Sequence, residues 1–138
     1  MSSLRRITSE IPKLRDNYDF EIQITKTTTN VILKIDSLHI RLKIPDDYPF
    51  RVPNIYVNNM DWCSFARFFN SEYQKKLLEF SSEKCFCCHS IIQSWAPNLC
   101  LQNVIDEIIR VNNVKIKTVC CIILSVDQDI INNIVSYI

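Results

Sequence analysis

Leu38-His39-Ile40-Arg41-Leu42-Lys43-Ile44-Pro45-Asp46-Asp47-Tyr48-Pro49-Phe50-Arg51-Val52-Pro53 is the stretch that decides the fold. Its first half alternates strictly, with Leu38, Ile40, Leu42 and Ile44 on one side and His39, Arg41 and Lys43 on the other. A period of two belongs to a strand with one face on a core and one in water. The second half is a corner. Pro45, Pro49 and Pro53 fix φ and remove backbone donors as the chain leaves the strand, so a hydrogen-bonded ladder cannot simply continue. Tyr48 sits among them, with a ring large enough to bury and a hydroxyl that then needs a backbone partner.

Outward from this stretch the pattern repeats. Upstream, Phe20, Ile22 and Ile24 alternate with polar residues, and so do Val31, Leu33 and Ile35. Thr27-Thr28-Thr29-Asn30 and Asp36-Ser37 read as turns between these runs. Downstream, Ile55 to Val57 supplies a fourth strand. Short strands with close turns predict a four-stranded antiparallel meander.

Helices flank the sheet. Leu4, Ile7, Ile11 and Leu14 share one helical face behind a Ser2 or Ser3 cap, with Arg5, Arg6, Glu10 and Lys13 off that face. Pro12 is expected to end or kink this helix near Ile11. Residues 71–80 have helical character, with Ser71 as cap, while residues 85–97 lack a period and read as an extended, buried loop. Leu101, Val104, Ile105, Ile108 and Ile109 mark the strongest helix. Residues 115–124 fit a strand or a helix equally well. Ser125-Val126-Asp127-Gln128 reads as a capping box for a last helix carrying Ile130, Ile131, Ile134 and Ile138. Helices beside one antiparallel sheet make an α+β fold, a single domain over residues 1–138.

Composition narrows the chemistry. The net charge is +1, from 16 basic and 15 acidic side chains, which gives no reason to expect a polyanion partner. The chain contains no glycine, so positions with positive φ fall to Asn or Asp, and Asn58-Asn59, Asn112-Asn113 and Asn132-Asn133 are the candidates. The seven cysteines are an odd count, and no apolar secretion core opens the sequence, so free thiols in a reducing cytoplasmic or nuclear compartment are expected. No run approaches the ~18 apolar residues of a membrane span.

Three segments resemble the ubiquitin-conjugating enzyme (UBC) family, in that family's order. Leu4-Arg5-Arg6-Ile7-Thr8-Ser9-Glu10-Ile11-Pro12-Lys13-Leu14 looks like its opening helix. Pro45-Asp46-Asp47-Tyr48-Pro49-Phe50-Arg51-Val52-Pro53-Asn54-Ile55 is similar to its P-x-D-Y-P-F-K-P-P corner. Trp95-Ala96-Pro97-Asn98-Leu99 resembles its W-S-P-x-L loop, with a helix behind it through Ile108. RWD domains, non-catalytic relatives, share the Tyr-Pro corner but lack the loop that leads to the tryptophan.

The resemblance implies a UBC-like fold with a catalytic-type extended loop and C-terminal helices. It also implies a thiol that carries ubiquitin, or a ubiquitin-like modifier, as a thioester and passes it to a lysine. In the family the cysteine stands eight residues before the Trp. That ungapped register lands on Cys87, with Cys88 and Cys85 as alternatives in gapped ones. His89 lies beside them as a group able to polarise a thiol, and Trp95 and Pro97 would support the loop. Arg5, Arg6, Phe50 and Pro97 match positions that face the activating enzyme and ligases. No cofactor is implied. Cys63, Cys85, Cys87, Cys88 and His89 are zinc-type ligands, but Cys-x-Cys-Cys-His lacks the two-residue spacing of a knuckle, so no metal is expected. A monomer without nucleic-acid or membrane partners completes the expectation. Three family features are missing: the His-Pro-Asn ahead of the cysteine, where Glu79 takes the Asn spacing, the Gly-rich loop between the first strands, and the acidic loop after the central helix.

Overall fold

The computed structural model describes residues 2–25, 28–81 and 91–123, with the backbone alone for residues 2–4, 80 and 81. Helix α1 (Ser2–Asn17) leads into strands β1 (Phe20–Ile24), β2 (Thr29–Ile35), β3 (Leu38–Ile44), β4 (Asn54–Val57) and β5 (Met60–Asp61). A single turn of helix, α2 (Trp62–Phe65), then α3 (Ser71–Ser81) and α4 (Leu101–Ile123), complete the described elements. The strands form one sheet in the order β1-β2-β3-β4-β5, every pair antiparallel. The architecture is α+β, with an N-terminal helix and a long helix after the sheet.

The predicted alternation in β3 is what the structure displays: Leu38, Ile40, Leu42 and Ile44 are buried and His39, Arg41 and Lys43 exposed. Register carries that face across the sheet. Leu33 lies opposite Ile40 and Ile40 opposite Val57, while Val31 lies opposite Leu42 and Leu42 opposite Ile55. All six are buried and share one core with Ile7 and Leu14 of α1, Leu77 of α3, and Leu101, Val104, Ile105, Ile108 and Val111 of α4. On the outer face, Arg41 lies opposite Tyr56 with its guanidinium 4.4 Å from the ring centroid.

Several expectations need correction. The sheet has a fifth strand, because Asn58 and Asn59 take φ of 51° and 65° and close a two-residue hairpin between Val57 and Met60. Two left-handed residues match the strand twist, and Asn is the non-glycine residue best suited to them. Asp36, at φ 54°, does the same between β2 and β3. Asn112 and Asn113 instead lie inside α4. Thr29 and Asn30 belong to β2 rather than to a turn.

Pro12 does not stop α1, which runs on to Asn17. Pro12 lies on the exposed side of the helix, so its ring meets solvent rather than the core. Buried Ile7 and Leu14 hold the helix on either side. Asn70, not Ser71, caps α3: its Oδ1 accepts from the N–H groups of Glu72 (2.9 Å) and Tyr73 (3.2 Å). Residues 115–123 continue α4 as helix. The capping box at 125–128 and the last helix lie outside the described residues. Among the described residues, no helix is long and apolar enough to cross a membrane.

Candidate functional site

The proline corner is built against two partners distant in sequence. The Tyr48-Pro49 peptide bond is cis, and turn bonds from Tyr48 N–H to Pro45 O (3.1 Å) and from Phe50 N–H to Asp47 O (2.7 Å) fold the segment back on itself. Trp95 docks on this corner. Its Nε1–H donates to Pro49 O at 2.7 Å, and its ring stands 6.1 Å from that of Tyr48. Trp95 is half-buried.

Tyr48 is fully buried, and its hydroxyl finds a carboxylate instead of a backbone group: it donates to Glu10 Oε2 at 2.7 Å. Glu10 was expected off the buried face of α1, yet it is 7 % exposed. Its Oε2 also accepts from Arg6 Nε (3.1 Å), and its Oε1 accepts from the Leu101 N–H (2.6 Å) at the start of α4. A carboxylate at a helix N-terminus satisfies an orphan donor and complements the helix dipole. Burial, then the bond to Glu10 and its negative charge, hold the Tyr48 hydroxyl protonated well above the usual tyrosine range. Glu10 thus joins the first helix, the proline corner and α4. Nothing in the local sequence marks it, since its partners lie 38 and 91 residues away.

The expected partner-facing residues divide. Phe50 is 72 % exposed beside the Arg51–Asp47 ion pair (3.0 Å). Arg5 and Pro97 are exposed as well. Arg6 is not a free surface charge: besides Glu10, its second guanidinium nitrogen donates to Leu99 O at 3.1 Å, tying α1 to the loop after Trp95. The structure therefore brings parts of all three motif segments together, through the Trp95–Pro49, Tyr48–Glu10 and Arg6–Leu99 bonds.

Cys85, Cys87, Cys88 and His89 lie outside the described residues. The described loop begins at Ile91, and Ile92 is buried in the core ahead of Trp95. Among the described cysteines, Cys63 is exposed, Cys100, Cys120 and Cys121 are half-buried, and none is in a disulfide. Cys100 precedes α4, where Asn103 Oδ1 accepts from its N–H (2.8 Å) and lies 3.1 Å from its Sγ. Among the described residues no cluster of His, Cys, Asp and Glu could hold a metal ion.

Comparison of the chain with protein-family models, with curated proteins and with solved structures finds no match.

Proposed function

We propose that this chain is a divergent UBC-like domain that carries ubiquitin, or a ubiquitin-like modifier, on a cysteine and hands it to a lysine. The observation that carries the reading is the Trp95 Nε1–Pro49 O bond, which joins the Tyr-Pro corner to the Trp-x-Pro loop across 46 residues of sequence. Those are the two most specific motif segments, and one structural unit built from both is what a shared ancestry of the pair would require. The antiparallel meander and the amphipathic first helix support the same reading.

In this proposal Cys87, or Cys88 or Cys85 in the gapped registers, attacks the thioester that links ubiquitin to its activating enzyme. A new C–S bond forms as the old one breaks, and the activating enzyme's sulfur leaves as thiolate. A lysine amine then attacks the carbonyl. An amide forms, the cysteine is released, and the amine proton passes to solvent or to a base such as His89. Arg5, Phe50 and Pro97 supply exposed contacts for the activating enzyme and ligases, in a monomer of the cytoplasm or nucleus.

The test is direct. The protein is incubated with activating enzyme, ATP and ubiquitin and resolved with and without thiol reductant. A reductant-sensitive adduct that is lost in Cys87→Ser is the expected result. No adduct under conditions that charge a standard conjugating enzyme would sink the catalytic reading. Loss only in Cys88→Ser or Cys85→Ser would move the nucleophile. A second reading, a non-catalytic module that binds ubiquitin or a ligase, is favoured by the missing His-Pro-Asn, because a preorganised amide donor is the kind of group that stabilises an oxyanion. It predicts saturable ubiquitin or ligase binding with no adduct.

A further inference from the structure

The two edges of the sheet are built differently. β5, at one edge, is two residues long and runs straight into α2, and so short an edge offers little to pair with. β1, at the other, is five residues long and pairs with β2 alone among the described residues. Its register is unbroken from Phe20 to Ile24, and the segment carries neither proline nor lysine, the residues that commonly blunt an edge. The phase of the ladder shows which of its groups are open. The Thr25 N–H donates to Thr28 O at 2.8 Å, which makes these two residues a hydrogen-bonded pair at the end of the hairpin. Pairs in an antiparallel ladder alternate between bonded and non-bonded. Gln23 with Asn30 and Glu21 with Ile32 are then bonded pairs, while Ile24 with Thr29, Ile22 with Val31 and Phe20 with Leu33 are not. Phe20, Ile22 and Ile24 therefore point their N–H and C=O groups away from β2, to the open edge. Their side chains lie on the face that carries the core, since Val31 and Leu33 opposite Ile22 and Phe20 are buried, yet Ile24 is 62 % exposed.

We propose that the open edge of β1 is an interface between two copies of this chain, paired antiparallel about Ile22. In that register Ile22 meets Ile22 of the second copy, and Phe20 meets Ile24 on either side of it. These are the residues whose groups are open, and a bonded pair exchanges both of its hydrogen bonds, so each open N–H and C=O from Phe20 to Ile24 finds a partner. The two-fold axis stands perpendicular to the sheet, which keeps Phe20, Ile22 and Ile24 of both copies on one face and packs the exposed Ile24 side chain on a phenylalanine ring. On the other face Glu21 meets Gln23, whose amide can donate to the carboxylate. Neighbouring registers fit less well. A slide of two residues one way sets Glu21 directly against Glu21, a like-charge pair. The opposite slide carries Phe20 past the end of the second copy's strand. A surface that complements itself is what an isologous contact requires, and it selects a second copy over an unrelated peptide. One short strand makes a small contact, so the dimer forms as concentration rises and the single chain persists when dilute. The thioester chemistry proposed above does not depend on this contact.

Sedimentation of the full chain under thiol reductant, from micromolar to millimolar concentration, tests the pairing. A reversible monomer–dimer equilibrium is expected. Hydrogen exchange at the Phe20, Ile22 and Ile24 amides should slow as the dimer accumulates, while the Glu21 and Gln23 amides, already bonded to β2, should change less. Ile24→Lys places a charge at an exposed point of the edge and should abolish the dimer without moving thermal unfolding of the monomer. Gln23 reads the register. Its pair with Glu21 occurs twice in the dimer, so Gln23→Lys should tighten association by roughly 2- to 30-fold and Gln23→Glu should loosen it by a similar factor. A chain that stays monomeric throughout, assemblies larger than a dimer, a dimer that survives Ile24→Lys, or two Gln23 variants that shift association in the same direction would overturn the proposal.

Discussion

Two glutamates on the two long helices are almost equally buried, Glu10 at 7 % and Glu107 at 9 % exposed, and they do different work. Glu107 accepts from Arg110 one turn along in α4, through both the Nε and a terminal nitrogen of the guanidinium. That pair decorates a helix that the buried Ile105, Ile108 and Val111 already fix. Glu10 accepts from a residue of its own helix and from two that are not, Tyr48 and Leu101. Burial alone therefore says little about what a carboxylate holds together. What matters is how many donors would be left buried and unpaired if it were removed.

The sharpest way to break this comparison is Glu10→Ala. It strands the Tyr48 hydroxyl and the Leu101 N–H and should cost about 3–5 kcal/mol, the range for breaking a buried charged network. The urea midpoint reads the loss, and Glu10→Gln, which retains one acceptor, should fall between the two if the alanine variant fails to fold. Next comes Tyr48→Phe, with an expected loss of about 1.5–3 kcal/mol for a hydrogen bond to a charged group. This variant also has a pH signature. The folded hydroxyl titrates above the unfolded value of about 10, so the unfolded chain loses its proton first. Wild-type stability from this group is complete below about pH 10 and declines as pH rises further, and Tyr48→Phe should flatten that decline in denaturation curves. Trp95→Phe keeps a ring beside Tyr48 but leaves Pro49 O without its donor, and about 1 kcal/mol is expected from thermal unfolding. The smallest effect belongs to Glu107→Ala, about 0.5 kcal/mol for a one-turn ion pair whose arginine side chain is 42 % exposed and can be rehydrated. A loss at Glu107 as large as that at Glu10 would remove the distinction.

The same contrast explains what the sequence made legible. The β3 alternation, the α1 stripe of Ile7 and Leu14, and the α4 repeat from Leu101 to Ile108 depend on neighbours a few residues apart, so periodicity exposes them. The left-handed pair Asn58-Asn59 was visible because a chain without glycine has few other choices. The hairpin that the pair closes went unread, since β5 is only two residues long. Pro12 was misread because its local cost was weighed without the packing on both sides of it. Asn70 was passed over for the adjacent Ser71, an equally good cap, and only geometry separates them. Glu10 had no signal in its neighbours, because it draws its meaning from partners 38 and 91 residues distant. Of the candidate site, the Trp95 landmark and the exposed Phe50 were legible from motif spacing, while Arg6 proved to be a strut between α1 and Leu99.

The Glu10 hub also has a consequence for the order in which the protein can be made. The carboxylate leaves the ribosome well before its partner, and its acceptor bond to Leu101 cannot form until a further 91 residues have been added. At ordinary translation speeds of about 5–20 residues per second, α1 waits several seconds with a charge meant for the interior and no helix end to receive it. Until then its Ile7 and Leu14 lack the α4 share of the core they belong to. A nascent chain stalled before Leu101 should therefore leave α1 open to protease, and one stalled well beyond α4 should not.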